Sequence, residues 1–219
     1  MLSRVTSFNA HLIAKAVNGR ISIDIDKQLE VRVFGIIFNL ILREGIFELE
    51  VLDPLGRKED SSRLLPCILN AIDRALNGRL VTSKGRLINF SCLQGGSVAK
   101  LYEKKILDFL VTEMDGSRID EVKETVSCVG GVMVEHLSAS WSFEVTPING
   151  VRIRITFWQG GEEMPSGANI MVGEEVKEVN LPIEELVTLT EIVTNRLVLF
   201  YRKVSGEGHE PSNPYTFRP

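Results

Sequence analysis

Residues 141–158 read WSFEVTPINGVRIRITFW, and this stretch decides the fold class. Apolar side chains alternate with polar ones on both sides of the central Pro-Ile-Asn-Gly. This period of two is typical of strands that bury one face. The stretch therefore predicts an antiparallel hairpin, which is the mark of a domain built on an antiparallel sheet.

The register of this hairpin follows from its two faces. A two-residue turn at 149–150 would set Val145 opposite Arg154, so that apolar and charged side chains shared a face. A three-residue loop at 148–150 instead sets Glu144 opposite Arg154 and keeps the apolar side chains together. We therefore expect the longer loop, with its glycine in the left-handed conformation.

The alternation typical of strands recurs along the chain, and the apolar spacing typical of helices occurs as well. Alternation predicts a β-meander in the first third, with strands near 21–33 and 47–51. A central strand, or one buried on both faces, is predicted over the run 36–42, which is apolar apart from Asn39. Short strands are expected at 170–172 and 176–181. Apolar residues at helical spacing predict amphipathic helices over 7–18, 65–76, 97–110, 119–129 and 182–203.

The elements together predict one α+β domain, a mostly antiparallel sheet with several amphipathic helices. We expect this domain to span 1–204, followed by a flexible tail over 205–219 that is rich in Gly, Pro and Asn. Pro66 should fix the start of its helix near Leu65, because proline disrupts a helix interior.

Composition excludes several classes of protein. The 219 residues include 25 Lys+Arg against 29 Asp+Glu, and 44% are apolar. A disordered chain would be less apolar, and a nucleic-acid-binding protein would carry a basic surplus. The apolar run 36–42 is shorter than the roughly 20 residues of a membrane helix, and no secretory signal is visible. We expect a cytoplasmic protein with no nucleic-acid or membrane partner.

The cysteines and histidines predict no metal site. The three cysteines, Cys67, Cys92 and Cys128, form no CxxC pair, so we expect small buried side chains in a reducing compartment. The three histidines share no ligand-like spacing. Since no hydrolase motif appears either, the residues predict neither a cofactor nor a catalytic set.

Three places offer binding chemistry, each beside a structural alternative. Gly95-Gly96-Ser97 would let a ligand reach free N–H groups at a helix start, or would form a turn with Ser97 as the N-cap. Arg152, Arg154 and Trp158 would hold a flat anion, unless Arg154 pairs with Glu144.

The third place is the polar loop after Trp158. Glu162 and Glu163 are paired carboxylates that would act as general acid and base, or would simply be solvated in a turn. Loops held by a rigid scaffold often carry function, which is why this loop is a candidate.

Several pieces between about 86 and 201 occur in a characteristic order: Leu87-Ile88-Asn89-Phe90, Leu93-Gln94-Gly95-Gly96 before a helix with Tyr102, Gly130-Gly131, Trp141-Ser142-Phe143, and Ile155–Pro165. This order resembles an uncharacterised family of small archaeal and anaerobic-bacterial proteins, catalogued as a domain of unknown function. Some of its members are fused to iron–sulfur domains or associated with corrinoid and one-carbon metabolism. The resemblance implies an accessory or ligand-sensing role and no established activity.

The chain departs from that family in two places. Gln94 stands where the family tends to have proline, and Gly173 stands where it tends to end a strand in aspartate. The missing aspartate weakens any metal or catalytic role that the resemblance would place on that carboxylate.

The leading prediction is a non-catalytic module that binds an unknown small molecule or a partner protein. The alternatives are an enzyme that uses Glu162 or Glu163, and an assembly subunit. The expected site lies near the Gly95-Gly96 turn and the Trp158–Pro165 loop, and the oligomeric state is left open. The candidate residues are Gly95, Gly96, Ser97, Tyr102, Arg152, Arg154, Trp158, Glu162, Glu163 and Pro165.

Overall fold

The computed structural model describes residues 14–17, 19–22, 27–43 and 46–206. The strands are β1 (Gly19–Ser22), β2 (Lys27–Val33), β3 (Ile36–Arg43), β4 (Ile46–Leu52), β5 (Leu87–Ile88), β6 (Val132–Met133), β7 (Trp141–Val145), β8 (Ile153–Trp158) and β9 (Gly167–Gly173). The helices with described bounds are α1 (Lys58–Leu76), α2 (Gly96–Met114), α3 (Ile119–Cys128), α4 (Glu175–Glu178) and α5 (Ile183–Ser205). Residues 90–92 form a 3-10 turn, and residues 14–16, from the helix predicted over 7–18, are helical.

The first four strands form one antiparallel sheet in the order β1-β2-β3-β4, which confirms the predicted meander. The apolar run predicted as central is β3, and it lies between β2 and β4. Phe38 and Leu40 on this strand are fully buried. The most apolar run of the chain therefore marked a strand with neighbours on both sides.

The second antiparallel sheet has the order β5-β9-β8-β7-β6 and contains the predicted hairpin. Phe143 lies opposite Ile155, and Glu144 lies opposite Arg154, so the predicted register is confirmed. The tip differs in detail, because the backbone N–H of Val151 donates to Ile148 across a tight two-residue turn. Both turn residues are left-handed, with φ of 50° and 74°. The extra residue that the register requires is therefore accommodated between this turn and the strands.

Helix α1 begins earlier than predicted. It runs from Lys58, with Pro66 inside the helix rather than at its start. Pro66 lies on the exposed side, where water can satisfy the carbonyl that loses its partner. The opposite face buries Asp60 and Leu64 before the proline and Ile68 after it. Burial of that face outweighs the cost of one missing hydrogen bond.

The strand predicted at 176–181 is also wrong. The chain there forms the single turn α4, and Leu181 donates its N–H to the Val176 carbonyl. Val176 and Val179 are both buried and lie three residues apart, which is a helical spacing. Apolar residues over so few positions fit either period.

Helix α5 lies at the centre of the molecule and contacts α1, α2 and α3. One continuous apolar core includes buried residues of both sheets and all three of these helices, as expected for a single α+β domain. The helix ends at Ser205, and Gly206 adopts a φ of 73°. The predicted tail from 207 onward lies outside the described residues. None of the helices described is long and apolar enough to cross a membrane.

Candidate functional site

The two halves of the predicted site lie at opposite ends of α2. Gly95 precedes the first turn of this helix, whereas Asp115 follows its last turn and contacts the loop over 159–166. A helix of 19 residues is about 28 Å long. The structure therefore does not bring Gly95–Ser97 together with the Trp158–Pro165 loop.

The glycines before α2 serve a tight turn. Gly95 is the N-cap with a φ of 76°, so Ser97 is not the N-cap as predicted but lies inside the helix. The Gly96 N–H donates to the Leu93 carbonyl at 3.0 Å. A Cβ added to Gly96 would overlap the carbonyl of Phe90. Close backbone packing therefore accounts for this glycine pair.

The two predicted arginines are neutralised within the protein. The Arg154 Nε donates to Glu144 at 2.9 Å, as the structural alternative predicted. The Arg152 Nε donates to Glu175 at 2.6 Å, and Arg152 is only 8% exposed. An anionic ligand would have to displace a carboxylate from either guanidinium, so this face does not favour the predicted anion site.

Glu175 is a residue that the sequence patterns did not single out. It is fully buried, and its second oxygen, Oε2, has no hydrogen-bond partner among the described residues. A Cβ added to Gly173 would overlap that oxygen. The Glu175 carboxylate thus fills the space beside the position where the resemblance led us to expect an aspartate.

Trp158 is held against a neighbouring loop. Its Nε1 donates to the Ser138 hydroxyl at 3.4 Å, and its ring meets the His136 ring edge-on at 5.7 Å. The other residues of its loop that were predicted as ligand contacts are exposed: Glu162, Glu163 and Pro165. These carboxylates do not lie in a cleft, which is what an acid or base role would need.

The loop over 159–166 is anchored to the end of α2. The Gln159 side-chain amide donates to Asp115 at 2.6 Å, and the Ser166 hydroxyl also donates to Asp115. Hydrogen bonds from Ser166 and then Gln159 hold the pKa of Asp115 below its usual value. This contact closes the loop without building a pocket around it.

A cleft of about 360 Å³ lies at the other end of α2, between its first turns and those of α5. Two predicted site residues, Gly95 and Tyr102, line it. Tyr102 and its neighbour Val98 are 53% and 73% exposed, although both are apolar or aromatic. A salt bridge of 2.5 Å between Arg63 and Glu191 bounds one side of the cleft.

A wider and more open groove of about 1130 Å³ runs between α2 and β9. Ser97 lines it, as do Lys100 and Glu103 on the same helix and Asn169 on β9. Burial raises the pKa of Glu103, and the charge of Lys100 partly offsets this. Its lining mixes polar and charged side chains with apolar ones such as Leu107 and Val111, and apolar side chains make up a larger share of the lining of the α2–α5 cleft.

No cluster of three or more His, Cys, Asp or Glu side chains in the described parts of the chain is arranged to hold a metal ion. The cysteines are free thiols, and they differ in burial: Cys67 is buried, Cys128 is half-buried and Cys92 is exposed. The expectation of buried cysteines is therefore wrong for Cys92.

The chain belongs to the family described as "Domain of unknown function (DUF3786)", whose model matches residues 14–196. The match includes the first sheet as well as the half of the chain that carried the resemblance, so the predicted kinship to an uncharacterised family is confirmed. No curated protein and no solved structure matches the chain.

Proposed function

We propose that this protein is a non-catalytic binding module and that its site is the cleft between α2 and α5. The observation that carries the proposal is the exposure of Val98 and Tyr102 beside that cleft. Apolar side chains left open next to a concave surface are typical of binding sites.

The dimensions and lining of the cleft suit a small molecule. Ligand sites are usually cavities of about 300–1,000 Å³ with apolar walls and a few polar groups. Val98, Tyr102 and Val187 supply apolar walls here, and Glu184 and Thr188 supply polar groups. The volume of about 360 Å³ corresponds to the lower end of that range.

The charges of the cleft indicate which ligand it would take. Glu191 is already paired with Arg63, which leaves the Glu184 carboxylate at the cleft as a further acidic group. The Tyr102 ring would stack on a flat ring or a cation. We therefore infer a ligand with a flat apolar body and a hydrogen-bond donor or positive charge.

Two matched probes test this site. Tryptamine carries a flat ring with an ammonium group, and indole-3-acetate carries the same ring with a carboxylate. Each compound is titrated into the protein while the amide NMR shifts are recorded. Tryptamine should shift the amide signals of residues 95–102 and 183–188, and indole-3-acetate should shift them less. Similar shifts from both compounds would show that charge plays no part.

Variants locate the binding. Tyr102→Ala should abolish the tryptamine shifts, because the stacking surface is lost. Leu137→Ala is the matched control, since Leu137 is an exposed apolar residue outside the cleft lining. Tryptamine shifts that persist in the Tyr102→Ala protein, or that never occur at the cleft, would contradict the proposal.

A link to corrinoid or one-carbon metabolism, which the resemblance implies, stays a prediction. The cytoplasmic location and the domain boundary near residue 204 are also predictions. Protein purified without oxygen should be examined by absorbance and mass spectrometry, because a retained small molecule would identify the ligand class directly.

A further inference from the structure

Helix α2 lines a second concave surface besides the α2–α5 cleft. This α2–β9 groove has a volume of about 1130 Å³, and its α2 side extends from Ser97 to Thr112. At 1.5 Å per residue the helix rises about 22 Å between these two residues. The same distance corresponds to roughly six or seven residues of extended chain. The groove therefore has the length of a peptide segment.

Strand β9 leaves part of its outer edge open along this groove. Strand β5 pairs only with Val172 and Gly173, at the C-terminal end of β9. The Gly173 N–H donates to the Arg152 carbonyl at 2.9 Å, so the alternation of the antiparallel ladder directs the N–H and C=O of Ala168 away from β8. Ala168 lines the groove, and neither group has a hydrogen-bond partner in the described parts of the chain. This position offers a donor and an acceptor to an added strand.

The α2 side of the groove carries a row of half-buried side chains, which are Glu103, Leu107 and Val111. They are spaced four residues apart, which is about 6 Å along the helix. Alternate residues of an extended strand are about 6.6 Å apart. Three alternate side chains of an added strand would therefore each face one member of this row, and Leu107 and Val111 suit apolar side chains.

Glu103 is the charged member of the row. It forms no ion pair or hydrogen bond with another residue that the structure describes. Burial raises the pKa of its carboxyl group, and the charge of Lys100 offsets this only in part. A cation beside Glu103 would stabilise the ionised carboxylate. Lys100 and Lys104 are exposed on the rim and would repel a strongly basic segment, so the groove suits a single basic residue.

We propose that the α2–β9 groove binds an extended segment of a partner protein, with one basic and two apolar residues at alternate positions. The segment would add to the second sheet beside β9, antiparallel to it like the other strands of that sheet. Backbone hydrogen bonds to Ala168 would fix its register. Its basic side chain would lie beside Glu103.

The anchored end of the groove determines the order of these residues. Ser166, just before β9, donates to Asp115, just after α2. Two strand residues and four helical residues span nearly the same distance, which brings Ala168 level with Val111. Ala168 lies opposite the buried Phe157, so the segment residue that pairs with Ala168 also faces the core side, where α2 packs. From its N-terminus the segment therefore has a basic residue, any residue, an apolar residue, any residue and an apolar residue.

The experiment measures fluorescence anisotropy of two labelled peptides with the full chain. One peptide has lysine, threonine, valine, threonine and phenylalanine in that order, and the other has glutamate in place of lysine. Both have blocked termini, so that only the side chains differ in charge. The lysine peptide should bind roughly tenfold more tightly, because attraction to a half-buried carboxylate becomes repulsion. The preference should shrink at high salt.

Amide NMR shifts locate the bound peptide. The lysine peptide should shift the signals of residues 103–112 and 166–169. It should leave those of residues 183–188 unchanged, because these residues line the α2–α5 cleft or lie beside it. Failure of this proposal is thus distinguishable from failure of the small-molecule site.

Two variants assign the preference to the groove. Glu103→Gln should abolish the difference between the two peptides. Glu124→Gln is the matched control, since it removes the same charge from an exposed position on α3. Ala168→Pro removes the N–H that points away from β8 and no donor to β8. It should weaken binding of the lysine peptide at least fivefold, while circular dichroism shows an unaltered fold.

Three outcomes would overturn the proposal. They are equal affinity for the two peptides, a lysine preference that persists in Glu103→Gln, and undiminished binding by the folded Ala168→Pro variant. Sedimentation that showed a dimer broken by Glu103→Gln would identify a second copy of the chain as the occupant, and would also refute the partner segment.

Discussion

Replacing Arg196 with methionine should cost about 3–5 kcal/mol of folding free energy at neutral pH. Arg196 is fully buried on α5, and its guanidinium joins three elements. It donates to the Phe34 carbonyl at 2.6 Å, to Asp53 at 2.8 Å and to Asp60 at 3.2 Å. Methionine fills a similar volume but leaves the buried Asp60 and the half-buried Asp53 without this cation.

The magnitude can be measured by urea unfolding. A protein of this size loses roughly 2–3 kcal/mol per molar urea, so the midpoint should fall by about 1–2 M with little change in slope. Lys203→Met is the control on the same helix, because Lys203 is exposed and its loss should change the midpoint little.

The deficit should depend on pH in a defined direction. Burial raises the pKa of Asp53, but hydrogen bonds from Arg196 and from the Leu55 and Arg57 N–H groups prevail and hold it below 3.8. In the native protein the ionised Asp53 carboxylate therefore stabilises the fold at pH values above its ordinary pKa. This contribution is lost as the pH falls through the lowered pKa. Without Arg196, the pKa of Asp53 rises because the largest contribution that opposes burial is lost, so ionisation of Asp53 stabilises the fold less.

The variant should therefore lose more stability at pH 7 than at about pH 4, where Asp53 begins to protonate. A deficit below about 1 kcal/mol at neutral pH would refute the view that the buried cluster needs its cation. An equal deficit at both pH values would refute the assignment of the cost to uncompensated carboxylates.

Three further outcomes follow from the structure. Burial raises the pKa of the Cys67 thiol to about 12, so Ellman's reagent should modify Cys92 in the native protein and Cys67 only after unfolding. Gly96→Ala should cost about 1–3 kcal/mol in urea unfolding because its methyl group would overlap a backbone carbonyl, whereas Gly161→Ala, in open space, should be nearly neutral. Because the pKa of Asp115 is lowered, its ionised carboxylate stabilises the anchored loop at pH values above the ordinary pKa of aspartate. Amide protection in that loop should fall as pH drops through the lowered value, and it should be lower at neutral pH in Asp115→Ala.

The hairpin of the second sheet could be predicted from sequence because its constraint is local. In the hairpin from Trp141 to Trp158, one register keeps the apolar side chains of both strands on the same face. That register also pairs Glu144 with Arg154. The tip differs from the prediction because the match of the two apolar faces was given more weight than residue type. Asn149 and Gly150 form the tight turn that their identity favours, and the strands accommodate the mismatch.

The wrong predictions arose where distant packing decides. Pro66 is tolerated within α1 because the apolar face on the other side of the helix is buried. The residues 176–181 fit a strand or a helical turn equally well, and contacts with the rest of the core select the turn. A single sequence shows which residues are apolar but not what covers them.

The site was predicted only in part for the same reason. Gly95 and Tyr102 do line a cleft, but its other wall comes from Ile183 and Val187 on α5. Ile183 follows Pro182 directly and Val187 follows two acidic residues, a pattern that indicated a helix start and nothing more. Only the packing of α5 beside α2 turns them into the wall of a binding cleft.

The end of the stretch Ile155–Pro165, one of those that carried the resemblance, has a structural explanation. Gly160 donates its N–H to the Ser166 hydroxyl at 2.6 Å, and a Cβ at this glycine would overlap the backbone of Ser166. Ser166 in turn contacts Asp115 at the end of α2. The glycine is therefore needed for the loop to close on the helix, while Glu162 and Glu163 are exposed. The loop fixes one end of α2, and the opposite end of that helix forms the α2–α5 cleft. A substitution at Gly160 should consequently alter ligand binding only through displacement of the helix, with no direct contact to the ligand.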